Sequence, residues 1–208
     1  MTLEAELIEI SRSEVDLGQI ARFCHTPLGD DFDINAYEYF PLDDSDFSVE
    51  VKEQIDRFTR LAVSCFKRGH MSVFEFTTLL FRVRCPIYVA RQLVRHRNGT
   101  FMEKSLRYLE APDLMTVEPN YRAAYRDALD KYKALIQAGV RKEQARAVLP
   151  LCTPTEFLWQ ISLRSLFNVF DQRLDACAQE ETRALVQQMY DEAHEYYPHL
   201  LDAWKESR

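Results

Sequence analysis

"FTTLLFRVRCPIYVARQLVRHR", residues 76–97, changes its periodicity once, at Pro86, and that change decides the fold class. Residues 76–85 are rich in β-branched and aromatic types and read as a strand. From Pro86 the spacing becomes helical, with proline in the first turn, where its missing N–H is tolerated. A strand running straight into a helix implies a mixed chain. Upstream, "EAELIEIS" (4–11) alternates like a strand and residues 14–24 look helical. Residues 48–69 read as a helix with Ser48 as N-cap and Gly69 just past the end. Downstream, helices are expected over roughly 118–138 and 141–149, then a strand at "PTEFLWQIS" (154–162). Two final helices are expected, over roughly 163–174 and 178–196. The expected fold is α+β, mixed helices packed on a central sheet, as a single domain over residues 1–208. The acidic, aromatic loop at 29–50, with "DDFDINAYEYFPLDDSDF" at 30–47, reads as a cover over a site.

Composition narrows the function. With 26 Lys plus Arg against 33 Asp plus Glu, the net charge is −7, and sequence-independent nucleic-acid binding is disfavoured. No apolar run of about 18 residues is present, and no basic segment precedes an apolar one near the start, so neither a membrane span nor a secretory leader is expected. Five cysteines, an odd number without CxxC spacing, fit a reducing cytoplasm better than a disulfide framework. No metal-ligand spacing stands out, so no catalytic metal is expected. With five glycines and no G-x-G-x-x-G, a dinucleotide would have to bind without a Rossmann turn.

One stretch runs against the acidic background. "VRHRNGTFMEKSLRY" (94–108) gathers arginines, a histidine, a lysine, a glutamate and a serine. Cations at a helix C-terminus complement the dipole, an effect of a few tenths to about 1 kcal/mol. A cap needs neither the glutamate and serine nor the second cationic–aromatic pair, Arg107-Tyr108. Arginine forks bind phosphate bidentately, and an anionic ligand is the better account.

The residues here resemble the flavin-dependent thymidylate synthases, the ThyX family. Arg95-His96-Arg97, seven residues, then Ser105 matches its signature, and "SLRY" continues it. "GHMSVFEF" resembles the family's G-H-x-S-x-x-E, with Gly69, His70, Ser72 and Glu75. "ARAVLP" and "RSLFNVFDQRLDACAQEE" resemble its R-x-x-L-P and R-S-x-x-N segments. The chain departs from the pattern at Phe76, Thr100, Met102, Leu106, Ser162 and Cys177, where the family usually has His, Ser, Asn, Gly, Asn and His. An amide replaced by the Met102 thioether loses its donors and its strong acceptor. These departures bear on substrate identity and cofactor affinity more than on reaction type.

The resemblance implies C5-methylation of a uridine monophosphate (dUMP, UMP or both). Methylenetetrahydrofolate would be the carbon donor, reduced FAD the hydride source and NADPH the reductant of the flavin, in a homotetramer. It makes Arg173 and Ser105 the candidate catalytic residues. Arg173 would face N3 and O2 of the base, and Ser105, with no His–Asp pair adjacent in sequence, would position the nucleotide. Gln92, Arg95, Glu103, Lys104, Leu106, Arg107 and Arg146 would surround the nucleotide, with Arg107 and Arg146 on its phosphate. His70, Ser72, Arg95, His96, Arg97, Glu103, Ser162, Leu163, Arg164 and Asn168 would hold the flavin. No cysteine has an activating neighbour by sequence, so a thiolate attack on the base is not expected. Two other readings stay open: a same-fold flavoenzyme with another substrate, and a non-catalytic nucleotide-binding scaffold.

Overall fold

The computed structural model describes residues 3–23 and 48–208; the expected cover at 29–50 lies almost wholly outside them. The protein is α+β. Four antiparallel strands, β1 (Glu4–Ile10), β2 (Thr78–Pro86), β3 (Gly99–Glu103) and β4 (Pro154–Ser162), lie in the order β1-β2-β4-β3. The two longest strands pair along their whole length, from Thr78 opposite Ser162 to Pro86 opposite Pro154. Their period-2 pattern sends Leu79, Phe81, Val83, Cys85, Phe157, Trp159 and Ile161 to one face, and all are buried. The other face carries charge. Arg84 bonds Glu4 at 2.7 Å and Glu156 at 2.9 Å, Lys104 meets Glu156 at 2.9 Å, and Arg82 pairs with Glu6.

Helices cover the apolar face. They are α1 (Glu14–Phe23), α2 (Val49–Lys67), α3 (Ile87–Leu93), α6 (Leu163–Arg173), α7 (Glu180–His194) and α8 (Pro198–Glu206). Ser48 caps α2 by accepting from Val51 N, and Gly69 follows its end at φ 75°, where a Cβ would be strained. α1 and α2 approach so closely at Gly18 that a Cβ there would lie 2.0 Å from Phe58 O. A separate small core forms around Val117, Tyr125, Leu129, Tyr132 and Ala145, from α4 (Arg122–Gln137), α5 (Lys142–Ala145) and the turns beside them. Among the described residues, no helix is long and apolar enough to cross a membrane.

Three elements differ from the sequence expectation. The helix after Pro86 stops at Leu93 rather than Arg97, so Arg95, His96 and Arg97 stand on a loop. That loop leads into β3, which sequence reading missed, because "GTFME" sits on the sheet edge with only a weak apolar alternation. The last expected helix begins at Glu180, and a further one, α8, starts at Pro198 and buries Leu200, Leu201 and Trp204.

Candidate active site

Stopping α3 at Leu93 turns the basic triad outward on its two arginines and inward on its histidine. Arg95 and Arg97 are exposed, whereas His96 is only 8% exposed and its N–H donates to Leu93 O at 3.0 Å. The loop forms one wall of a cavity of about 1020 Å³. The opposite wall is the start of α6, where Ser162 accepts from Ser165 N at 3.3 Å and caps the helix. Arg164, Asn168 and Gln172, four apart, present one polar stripe of α6 to the cavity, and Gln172 donates to Asn168 at 3.0 Å. Arg164 is paired with Glu75; Arg95 and Arg97 have no ion-pair partner among the described residues.

This donor set suits a diphosphate. Two unpaired guanidinium groups face the α6 N-terminus, whose dipole favours anions although its Leu163 and Ser165 N–H groups are already taken by Thr77 O and Ser162 Oγ. The volume sits at the top of the roughly 300–1,000 Å³ range of small-molecule sites, large enough for a dinucleotide. Gly99 belongs to the same wall, and a Cβ there would meet Trp159 Nε1 at 2.6 Å. The residues therefore fit FAD without a Rossmann loop.

Arg173, at the end of α6, points back to this loop. Its Nε donates to His96 Nε2 at 3.0 Å and its Nη2 to Gln92 O at 3.2 Å. Burial, and then the Arg173 charge, push His96 down from 6.5 to about 4, so the ring is neutral near pH 7. Neither nearby aspartate holds Arg173. Asp171 accepts from Trp204 Nε1 at 2.7 Å and pairs with Arg208, and Asp175 accepts from Cys177 N at 2.7 Å.

The residues expected around the nucleotide fall into separate groups. Gln92 stands beside Arg173 and bonds Gln179. Arg107 and Arg146 converge on Glu143: Arg107 meets its carboxylate at 3.3 Å and Arg146 Nε donates to its carbonyl at 3.3 Å. Lys104 and Leu106 line a second cavity of about 770 Å³ with Arg84 and Glu156. Burial would raise the Glu156 carboxyl, but Lys104 and Arg84 hold it below the ordinary carboxylate range. Ser105 Oγ accepts from Arg107 N at 3.3 Å, closing a turn, and among the described residues has no histidine partner. Glu103 accepts from Thr155 Oγ1 at 2.5 Å.

Of the residues expected on the flavin, Arg95, His96, Arg97, Ser162, Arg164 and Asn168 line the larger cavity. His70, Ser72 and Glu103 do not; His70 and Ser72 are exposed near the end of α2, and the Leu163 side chain is wholly buried in the core. Gln160, Thr78 and Gln172 also line this cavity and were not singled out from sequence. Gln172 was legible, one turn beyond Asn168 on the same helical stripe. Burial pushes the Cys85 thiol up to about 12 and raises Cys152, so neither is an activated thiolate.

An α+β chain with an arginine-rimmed cavity at a helix N-terminus, and a guanidinium held beside it, is of the class that binds phosphorylated nucleotide ligands. The chain belongs to the thymidylate synthase complementing protein family, whose sequence profile matches residues 6–199. Among its relatives, the flavin-dependent thymidylate synthase of Pseudothermotoga lettingae is 34% identical over 150 residues, 63% of this chain and 67% of that protein. The enzyme of the same name from Thermosipho africanus is 38% identical over 142 residues, 55% of this chain and 62% of that protein. The matched part thus spans about two thirds of these relatives. In fold, the chain is similar to the crystal structure of a UMP/dUMP methylase, PolB, from Streptomyces cacaoi bound with 5-Br dUMP. The TM-score is 0.76 at 24% identity, covering 99% of this chain and 95% of that one.

Proposed function

We propose that the protein methylates C5 of a uridine monophosphate, with methylenetetrahydrofolate as carbon donor, as a single catalytic domain over residues 1–208 working in a homotetramer. FAD, reduced by NADPH, would supply the hydride. The observation that carries this reading is the Arg173 guanidinium, held by two protein acceptors beside an arginine-rimmed cavity.

The chain's own residues divide the work. Arg95 and Arg97, with the α6 N-terminus, neutralise the cofactor diphosphate, while Ser162 and Asn168 orient it. Arg173 stays charged at any working pH and faces the uracil carbonyl edge, stabilising the negative charge that develops as C5 becomes nucleophilic. Arg107 and Arg146 take the substrate phosphate in place of Glu143. β3 separates these groups: Gly99 lines the larger cavity, and four residues further, at roughly 3.3 Å each, Glu103 meets Thr155 instead. An assembly in which each site draws on more than one copy would bring the two groups together.

The test is the spectrum of the purified protein, then product analysis. A flavin absorbance band, and a 5-methyl product from dUMP or UMP with methylenetetrahydrofolate, FAD and NADPH, support the reading. A colourless protein that takes up no added FAD favours the scaffold alternative.

A further inference from the structure

Arginine carries five N–H donors and no acceptor. The bond from Arg173 Nε to His96 Nε2 therefore requires a lone pair on that nitrogen, and the ring proton must sit on Nδ1. An imidazolium could not make this contact. The second bond, Nη2 to Gln92 O, leaves from the same edge of the guanidinium as the first. Its acceptor is one of the carbonyls that α3 leaves unpaired at its C-terminus. Together the two acceptors occupy the Nε/Nη2 edge. The terminal edge, with parallel N–H groups on Nη1 and Nη2, has no partner among the described residues.

We propose that His96 is a positioning residue: with the Gln92 carbonyl it fixes the Arg173 guanidinium so that its terminal edge meets the O2 carbonyl of a planar pyrimidine and the negative charge that develops beside it. This rests on the uridylate reading above. It gives the middle residue of the basic triad a task unlike that of its neighbours. Arg95 and Arg97 reach outward to phosphate, while His96 turns inward to aim a third arginine. Burial of His96 against Trp159, with ring centroids 6.3 Å apart, keeps the ring from rotating away. Depression of its protonation to about pH 4 keeps the accepting lone pair available throughout the physiological range.

The test uses the full chain loaded with FAD and two ligands, dUMP and 2-deoxyribose 5-phosphate, which lacks the base. His96→Leu removes the acceptor. His96→Gln places an amide oxygen near the former Nε2. In His96→Leu, dUMP affinity should fall about 10- to 100-fold, as for loss of a charge-assisted hydrogen bond, while 2-deoxyribose 5-phosphate affinity stays within roughly twofold. His96→Gln should return dUMP affinity to within roughly fivefold of wild type. Both variants are compared at saturating FAD, because His96 also lines the larger cavity. Equal loss for both ligands, unchanged dUMP affinity in His96→Leu, or a His96→Gln as weak as His96→Leu would overturn the proposal. Should His96→Leu not fold, His96→Asn, one methylene too short to reach Arg173, takes its place with the same expectations. Wild-type protein that binds 2-deoxyribose 5-phosphate as tightly as dUMP overturns the uridylate reading itself.

Discussion

A Cβ added to Gly99 would lie 2.6 Å from Trp159 Nε1 and 3.0 Å from Gln160 O, so the cavity wall and the sheet core share one contact. Trp159 has no room to yield. It is fully buried, stacks on Phe101 at 4.9 Å and faces His96. Gly99→Ala should destabilise the protein by about 1–3 kcal/mol through overpacking, read as a lower urea midpoint at unchanged m-value. Flavin affinity should fall with it. An unchanged midpoint would mean that the indole can shift freely.

Arg173→Ala should lower turnover about 10²–10³-fold at saturating nucleotide, with flavin content near wild type, since this donor strengthens as the base becomes anionic. Arg173→Lys should also be poor, because an ammonium cannot span two acceptors in one plane. Steady-state kinetics alongside the flavin absorbance of each variant checks both. Wild-type turnover in Arg173→Ala would remove the residue from the chemistry.

His96 gives a defined acid window. Its folded value, about 4, lies below the unfolded 6.5, so between these limits the unfolded chain binds the extra proton. Stability linked to this group is unaffected above pH 6.5 and is lost as pH falls toward 4. The loss is on the order of 1–3 kcal/mol, taking the desolvation shift at a discount. Denaturant titrations of wild type and His96→Gln across pH 7 to 4 should show a shallower acid slope in the variant. Parallel slopes would contradict the assignment.

The substrate sugar is the fourth expectation. Met102 is 73% exposed, projecting from the sheet edge where the family pattern has an amide. A thioether neither donates to a sugar hydroxyl nor crowds it firmly, and an apolar wall rejects an added hydroxyl by only about 10²-fold. UMP and dUMP should therefore both be methylated. The ratio of their kcat/KM values decides it, and a dUMP preference above about 10⁴-fold would return the protein to strict deoxyribonucleotide use.

Much of this was legible because local chemistry and global packing agreed. Pro154–Ser162 alternates clearly, pairs with β2 along its whole length, and appears as read. Ser48 caps α2 as expected. The misses have physical causes. β3 is a five-residue edge strand held on one side only, so its sequence carries little of a strand's apolar signature. The helix from Pro86 stops four residues early, although nothing in "LVRHR" breaks a helix, because His96 is drawn into the core beside Trp159 and Arg173. The pairing of Arg173 with His96, 77 residues apart in sequence, follows from tertiary packing and no spacing rule predicts it.

The pleat of β3 divides two kinds of inheritance. Phe101 points inward and stacks on Trp159, so a change there disturbs the core. Thr100 and Met102, on either side of it, point outward and are exposed. Thr100 lines the larger cavity, so substitution there alters what a ligand meets, and at neither position is the packed interior disturbed. Within one short segment, selection can thus retune ligand preference at almost no risk to folding, and a lineage can drift between related substrates by single steps. The two outward departures from the family pattern on this strand, at Thr100 and Met102, fall at the positions where such drift meets least resistance.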